Sequence, residues 1–283
     1  MKKLALYWEK HDQGVKCLLC PNYCIIHEKY SGKCRKRVNI KNILYTENYA
    51  ETISLTLDPM KKKPLYHFHP SDNVLSLGAN SCNLSCKYCQ NYSSSQQDCT
   101  TKNVSPELLL AICLEQSIKH VAFTYTEPFT WYEYIFDSAK ILNKNGISVI
   151  LVTNGYVNIN PLKDIIPFVS AMNIDLKSFS DGFYIDICGG KLKPVLDTIE
   201  FSHSKTHIEI TLLLIENMNN DTKELNMLFS FISRLDKNIP LHILKYFPRY
   251  QMNMAETNET TIYNTVNMAK KYLNNVYAGN VKY

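Results

Sequence analysis

Between residues 74 and 247, short β-rich apolar runs alternate with longer helical patterns. That rhythm restricts the chain to a parallel sheet covered by helices, because consecutive parallel strands need a crossover between them. The expected strands cover 74–79, 120–126, 148–153, 171–176, 207–214 and 240–247, and the expected helices 106–117, 129–145, 161–169, 191–202 and 223–235. Val149-Ile150-Leu151-Val152 and Leu212-Leu213-Leu214-Ile215 are apolar without alternation, as strands buried on both faces are. Ser105-Pro106-Glu107 carries a cap, a first-position proline and a first-turn acid, and Asn145-Gly146 supplies a matching stop. Six such units make an α/β fold of the incomplete (β/α)6 TIM-like type over residues 74–249. Residues 1–73 read as a small cysteine-rich lobe, and 250–283 as a Tyr- and Asn-rich extension, helical around 261–273. With 283 residues there is ample chain for one large core.

Ten cysteines carry most of the chemistry. Cys82, Cys86 and Cys89 stand at C-x3-C-x2-C just after the first apolar run. Three thiolates on one loop can hold three corners of a cubane iron–sulfur cluster, whereas a cluster kept for electron transfer takes four. The fourth iron is then open to a ligand, as at catalytic zinc sites. A zinc knuckle or packed cysteines would suit the bare spacing too. Cys17, Cys20, Cys24 and Cys34 put four more thiols in a short segment. They fit a closed site of either zinc or a second iron–sulfur cluster, with free thiols as the alternative. Cys99, Cys113 and Cys188 match no cluster spacing, and Cys113 reads as helix core.

Chemistry in parallel α/β folds gathers where strands end, and the unusual polar residues fall there. Thr126 and Glu127 follow the second expected strand, and the Glu127 carboxylate suits an ammonium or the first turn of a helix. Asn154-Gly155 follows the third, as a ligand contact or as a plain turn. Asp175 and Lys177 point the same way near the end of the fourth, toward a ligand or as a buried ion pair. His242 lies on the sixth, and a satisfied core histidine explains it equally well.

Three runs together are more specific. With Asp58-Pro59-Met60-Lys61-Lys62-Lys63-Pro64-Leu65-Tyr66-His67-Phe68, the cysteine run ending Tyr88-Cys89-Gln90-Asn91, and Tyr125-Thr126-Glu127-Pro128, the chain resembles the radical S-adenosylmethionine (SAM) superfamily. Within it, the chain is similar to the branch related to pyruvate formate-lyase activating enzyme, which includes the radical SAM members of the AmmeMemoRadiSam system. The similarity runs from about Cys17 to Asn280. It implies a [4Fe-4S] cluster on Cys82, Cys86 and Cys89, with SAM on the open iron. Tyr88, Thr126, Glu127, Asn154, Asp175, Lys177 and His242 become the expected cofactor-binding set. It further implies reductive SAM cleavage to a 5′-deoxyadenosyl radical that removes hydrogen from a substrate. An electron donor such as flavodoxin or ferredoxin would be needed, and a glycyl-radical enzyme or another system partner would be the protein substrate. RNA, a peptide or a small molecule are alternative substrates, and a non-catalytic zinc-binding module is the remaining reading. Two departures stand out: the 217–221 loop lacks the family's Pro-Gly, and the N-terminal thiols do not follow the ferredoxin-like spacing of inserts in some activases.

A net charge of +5 and a pI near 8.5 are too mild for a nucleic-acid footprint, and leave that partner open. Lys61–Lys63 reads as a solvated turn or a contact for an anionic partner. The N-terminal Leu4-Ala5-Leu6 stretch meets charge too early for a leader, and no run approaches the ~18 apolar residues of a membrane span. The expectation is a cytoplasmic protein with reduced thiols.

Overall fold

The computed structural model describes residues 2–281. Seven parallel strands follow one another in sequence order: Asn73–Leu77, His120–Phe123, Ser148–Thr153, Ala171–Asp175, His207–Leu214, Leu241–Lys245 and Val276–Gly279. Each pairs with the next, as in Thr153 opposite Ile174 and Asp175 opposite Thr211. An antiparallel strand, Leu55–Pro59, closes the first edge against Asn73–Leu77. The arrangement is a partial barrel. Val149, Ile150 and Leu151 are buried, as a strand covered on both faces requires. The expected six units gain a seventh parallel strand, since the rhythm continues through the helix Glu259–Ala269 into Val276–Gly279.

Helices pack outside the sheet. The Ser105 side chain accepts from the Leu108 N–H, with Pro106 at the first helical position of Pro106–Glu115. Cys113 lies in that helix and is buried. The helix expected over 129–145 begins as the 3-10 turn Pro128–Trp131 and becomes α-helical over Tyr132–Lys144. The one expected over 161–169 runs Ile159–Ile165 and tightens to 3-10 at Ile166–Phe168, where Pro167 removes a donor.

Residues ahead of the barrel form two small antiparallel sheets. Trp8–His11, Gly14–Cys17 and Ile25–Ile26 make one; Lys3–Leu4, Ile43–Thr46 and Arg37–Ile40 make the other. The segment 60–72 then covers the strand-start end of the barrel. Met60 and Leu65 are buried with Val74, Ala122, Ile150 and Ala171 in a small separate core. Asn173 Nδ2 donates to Pro64 O at 2.8 Å, and the Glu209 carboxylate accepts from the Tyr66 and His67 N–H groups at 3.0 and 2.7 Å. Lys63 is not solvated. It is buried, 2.7 Å from Asp58 Oδ2, with its ammonium 4.4 Å from the Tyr125 ring centroid. No helix among the described residues is long and apolar enough to cross a membrane. With one end floored in this way, the strand-end face is left for the chemistry.

Candidate active site

The loop carrying Cys82, Cys86 and Cys89 leaves the first parallel strand and is pinned from several sides. Asn80 Nδ2 donates to Ser94 O and Gln97 O at 2.6 and 2.7 Å. The N–H groups of Ser85 and Lys87 donate to Cys188 O and Ile187 O at 2.9 and 3.0 Å. Asn83 Nδ2 reaches Tyr156 O at 2.6 Å, and Gln251 N–H reaches Lys87 O at 2.9 Å. Contacts that lock a loop from the fourth-strand, third-strand and sixth-strand connections hold its thiols in fixed positions.

These three cysteines line one cavity of about 260 Å³ at the strand ends. Tyr88, Thr126, Asn154, Asp175 and Lys177 line it too, so eight of the ten expected residues meet in one place. Asn154 Nδ2 donates to Asn83 Oδ1 at 3.0 Å and lies 3.7 Å from Cys82 Sγ. Gly155, next to it, has φ +68, a conformation that glycine reaches without strain. Lys177 Nζ stands 2.9 Å from Asp175 Oδ2. Burial works against its ammonium, but Asp175 and the Cys86 and Cys188 sulfurs outweigh that and hold it well above the usual lysine range. Thr211, Leu244 and Asn280 are also part of the wall, and none of them was expected. Thr211 could have been found from the period of its strand, which puts it beside Asp175.

Two expected residues lie elsewhere. Glu127 is fully buried behind the wall. Its Oε1 accepts from the Phe129 N–H at 3.0 Å and the Thr153 hydroxyl at 2.8 Å, and its Oε2 from the Asn154 N–H at 2.8 Å. Burial pushes its carboxyl up to about 7 against those hydrogen bonds. His242 points into the barrel one layer below the cavity, since Leu244, two residues on, is the lining residue. Its Nε2 is 2.6 Å from Glu209 Oε2 and its ring stacks on Tyr277 at 5.5 Å. Position near the start of the strand, invisible to a motif match, explains that placement.

The thiols suit a polynuclear cluster. Burial raises the Cys82 and Cys89 thiols, and Cys188 and burial raise Cys86, so each needs a cation to exist as thiolate. Among the described residues, three His, Cys, Asp or Glu ligand atoms lie mutually within 4.8 Å only at His69, Asp72 and His120. The three sulfurs are therefore not all within 4.8 Å of one another, against the ~3.8 Å edge of a zinc tetrahedron with ~2.3 Å bonds. Among the described residues no fourth thiol lines the cavity. Cys188 lies behind it, 3.7 Å from the Tyr88 hydroxyl.

Cys17, Cys20, Cys24 and Cys34 line a second, small and enclosed pocket with Arg37, Asn83 and Thr130. Arg37 is buried, bonded to Glu133 and to Leu6 O, with Nη1 3.3 Å from Cys17 Sγ. A buried guanidinium there offsets the charge of a thiolate centre. Nothing in the cysteine spacing pointed to Arg37. Asn22 Nδ2 donates to Asn83 O at 2.7 Å, so the pocket backs onto the Cys82 loop.

Comparison with known proteins agrees with this geometry. Residues 77–227 match the model of the Radical SAM superfamily. The chain is 36% identical to the uncharacterized protein MJ0808 of Methanocaldococcus jannaschii over 285 aligned residues, covering 98% of this chain and 85% of that one. It is 28% identical over 222 residues to MJ1632 of the same organism, provisionally named a glycyl-radical enzyme activating enzyme, with 74% and 82% covered. In fold it is similar to a domain of pyruvate-formate lyase-activating enzyme from Bacteroides vulgatus, with a TM-score of 0.50, 20% identity, and 56% and 98% covered.

Proposed function

The chain belongs to the radical SAM superfamily, and from that premise we propose that it cleaves SAM reductively at a [4Fe-4S] cluster held by Cys82, Cys86 and Cys89, as an activase acting on a protein. One observation carries the reading: three thiols and no fourth line a strand-end cavity that also holds Asn154, Asp175 and Lys177. When bound, the cluster and SAM supply a carbon-centred radical able to remove an unactivated hydrogen. The protein's share is placement. Asn154 presents an amide beside Cys82, and the Asp175–Lys177 pair offers a carboxylate to a ligand ammonium or hydroxyls and an ammonium to a ligand carboxylate. Tyr88, Thr126 and Leu244 line the cavity and leave less room for water around a bound ligand. Glu127 acts from behind by fixing the Asn154 backbone, and His242 belongs to the barrel floor. The likeness to MJ1632 supports an activase-type substrate, a glycyl-radical protein, with flavodoxin or ferredoxin as electron donor.

The four-thiol pocket is a closed second centre in this reading, holding either zinc or a second iron–sulfur cluster.

Anaerobic reconstitution with iron and sulfide, followed by SAM and dithionite, tests the proposal. 5′-Deoxyadenosine should form, and a partner carrying a glycyl-radical loop should accelerate it and acquire a radical signal. A cluster-loaded protein that forms none overturns the cleavage reading. Cleavage unaffected by such a partner, and accelerated instead by RNA or a small molecule, overturns the activase reading.

A further inference from the structure

The barrel end opposite the cavity holds a cluster that the thiol chemistry does not use. His69 and Asp72 sit on the segment that floors the barrel, and His120 begins the second parallel strand. His120 Nε2 is 3.0 Å from Asp72 Oδ2, and His69 Nδ1 is 3.6 Å from the same oxygen. The His69 and His120 rings lie 4.7 Å apart, and one ligand atom from each of the three residues falls within 4.8 Å of the other two. His120 is buried, while His69 and Asp72 reach solvent.

We infer that His69, Asp72 and His120 form a binding site for a divalent transition-metal ion, separate from both thiol sites. The spacing fits. An ion with nitrogen and oxygen bonds of ~2.0–2.2 Å in tetrahedral geometry sets its ligand atoms roughly 3.3–3.5 Å apart, and the contacts at 3.0 and 3.6 Å bracket that range. The donor set is selective as well. Two imidazoles and one carboxylate suit zinc, nickel or copper, whereas calcium and magnesium take all-oxygen shells. The exposed side of His69 and Asp72 gives an entry path and room for water as a further ligand.

His120 offers the site one ring nitrogen. Its Nδ1 is buried with no hydrogen-bond partner, so the ring's polar contact is the one Nε2 makes with Asp72. Without an ion, Nε2 must carry the ring proton, because a bare lone pair facing a carboxylate is repulsive. A bound ion replaces that proton at Nε2, and the hydrogen moves to Nδ1.

The consequence is mechanical. The ion ties the segment 60–72 to the second strand, and that same segment carries the Tyr66 and His67 N–H groups that engage Glu209. A filled site would hold the floor of the barrel in place.

Zinc binding to the full-length, anaerobically purified protein tests this. Wild type, His69→Ala and Asp72→Asn are each stripped with chelator and titrated with Zn²⁺, counting bound zinc and following the thermal midpoint. Both substitutions change exposed side chains, and both leave the thiols untouched, so the difference from wild type isolates this site. The expected result is one zinc fewer per chain in each variant at concentrations that saturate wild type. Residual affinity should be lower by about tenfold or more, and the zinc-dependent rise in midpoint should shrink accordingly. Equal zinc uptake with equal affinity in wild type and both variants would assign all bound zinc to the thiols and overturn the inference.

Discussion

Glu127 Oε2 lies 2.8 Å from the backbone N–H of Asn154, so a carboxylate that never reaches the cavity sets the position of a residue that lines it. Its three donors come from Phe129, Thr153 and Asn154. In Glu127→Gln the amide oxygen can serve two donors, but the amide nitrogen then faces the third. One buried N–H is left unpaired, at a cost of about 1–3 kcal/mol. We predict a lower thermal midpoint, normal iron content, and SAM affinity reduced by roughly tenfold through displacement of Asn154. Asn154→Ala should reproduce the affinity loss with less loss of stability. If Glu127→Gln weakened SAM binding while Asn154→Ala did not, the carboxylate would have to contact the cofactor itself.

Each thiol of the cavity should be indispensable. Cys82→Ala, Cys86→Ala and Cys89→Ala each remove one of the three sulfurs that line it. Neutral alanine cannot replace a thiolate ligand. 5′-Deoxyadenosine formation should fall to background in every case, with cluster iron lower by about four per chain. Cys188→Ala should keep its cluster, since Cys188 does not line the cavity. Wild-type turnover in any of the first three would remove that cysteine from the ligand set.

Glu209 supplies an acid-sensitive part of the floor. Burial raises its carboxyl, but hydrogen bonds from His207, His242 and the Tyr66 and His67 N–H groups outweigh that, lowering it from 4.5 to about 2. A carboxyl that is more acidic in the folded state contributes stability that is full above about 4.5 and is lost as pH falls toward about 2. The span corresponds to roughly 3 kcal/mol. Glu209→Gln should therefore be less stable than wild type at pH 7, and should lose less further stability on acidification. Urea midpoints measured from pH 7 down to pH 3 would reveal this, and parallel curves for the two proteins would contradict it.

The strand–helix rhythm made most of the barrel legible, because parallel strands buried on both faces leave unbroken apolar runs such as Val149–Val152. The cavity wall was legible where a residue sits in a motif at a strand end, as Asp175 and Lys177 do. Layer and depth were not. Glu127 and His242 carry the right chemistry in the right order, but only packing decides that one lies behind the wall and the other beneath it. Lys63 shows the same limit, since its partner Asp58 lies across a strand turn and its burial depends on Tyr125. Arg37 was hidden for a different reason: its role arises only when distant Glu133 and Cys17 are brought to either side of it.

The two thiol sites should separate under mutation. Cys17 and Cys20 line the enclosed pocket and not the strand-end cavity. Burial pushes the Cys20 thiol up to about 12 and raises the Cys34 thiol too. Metal binding in such a segment is itself folding free energy. Replacing both cysteines by serine should lower solubility and thermal stability and increase proteolysis over residues 15–40. Metal analysis should show about four irons fewer per chain if the centre is a cluster, or one zinc fewer if it is zinc. Protein that stays folded should still load the cavity cluster and cleave SAM. Full metal content with unchanged stability would mean that the pocket holds free thiols. Loss of SAM cleavage in fully folded protein would place this centre in the electron path, a route that the Asn22–Asn83 contact behind the Cys82 loop makes short.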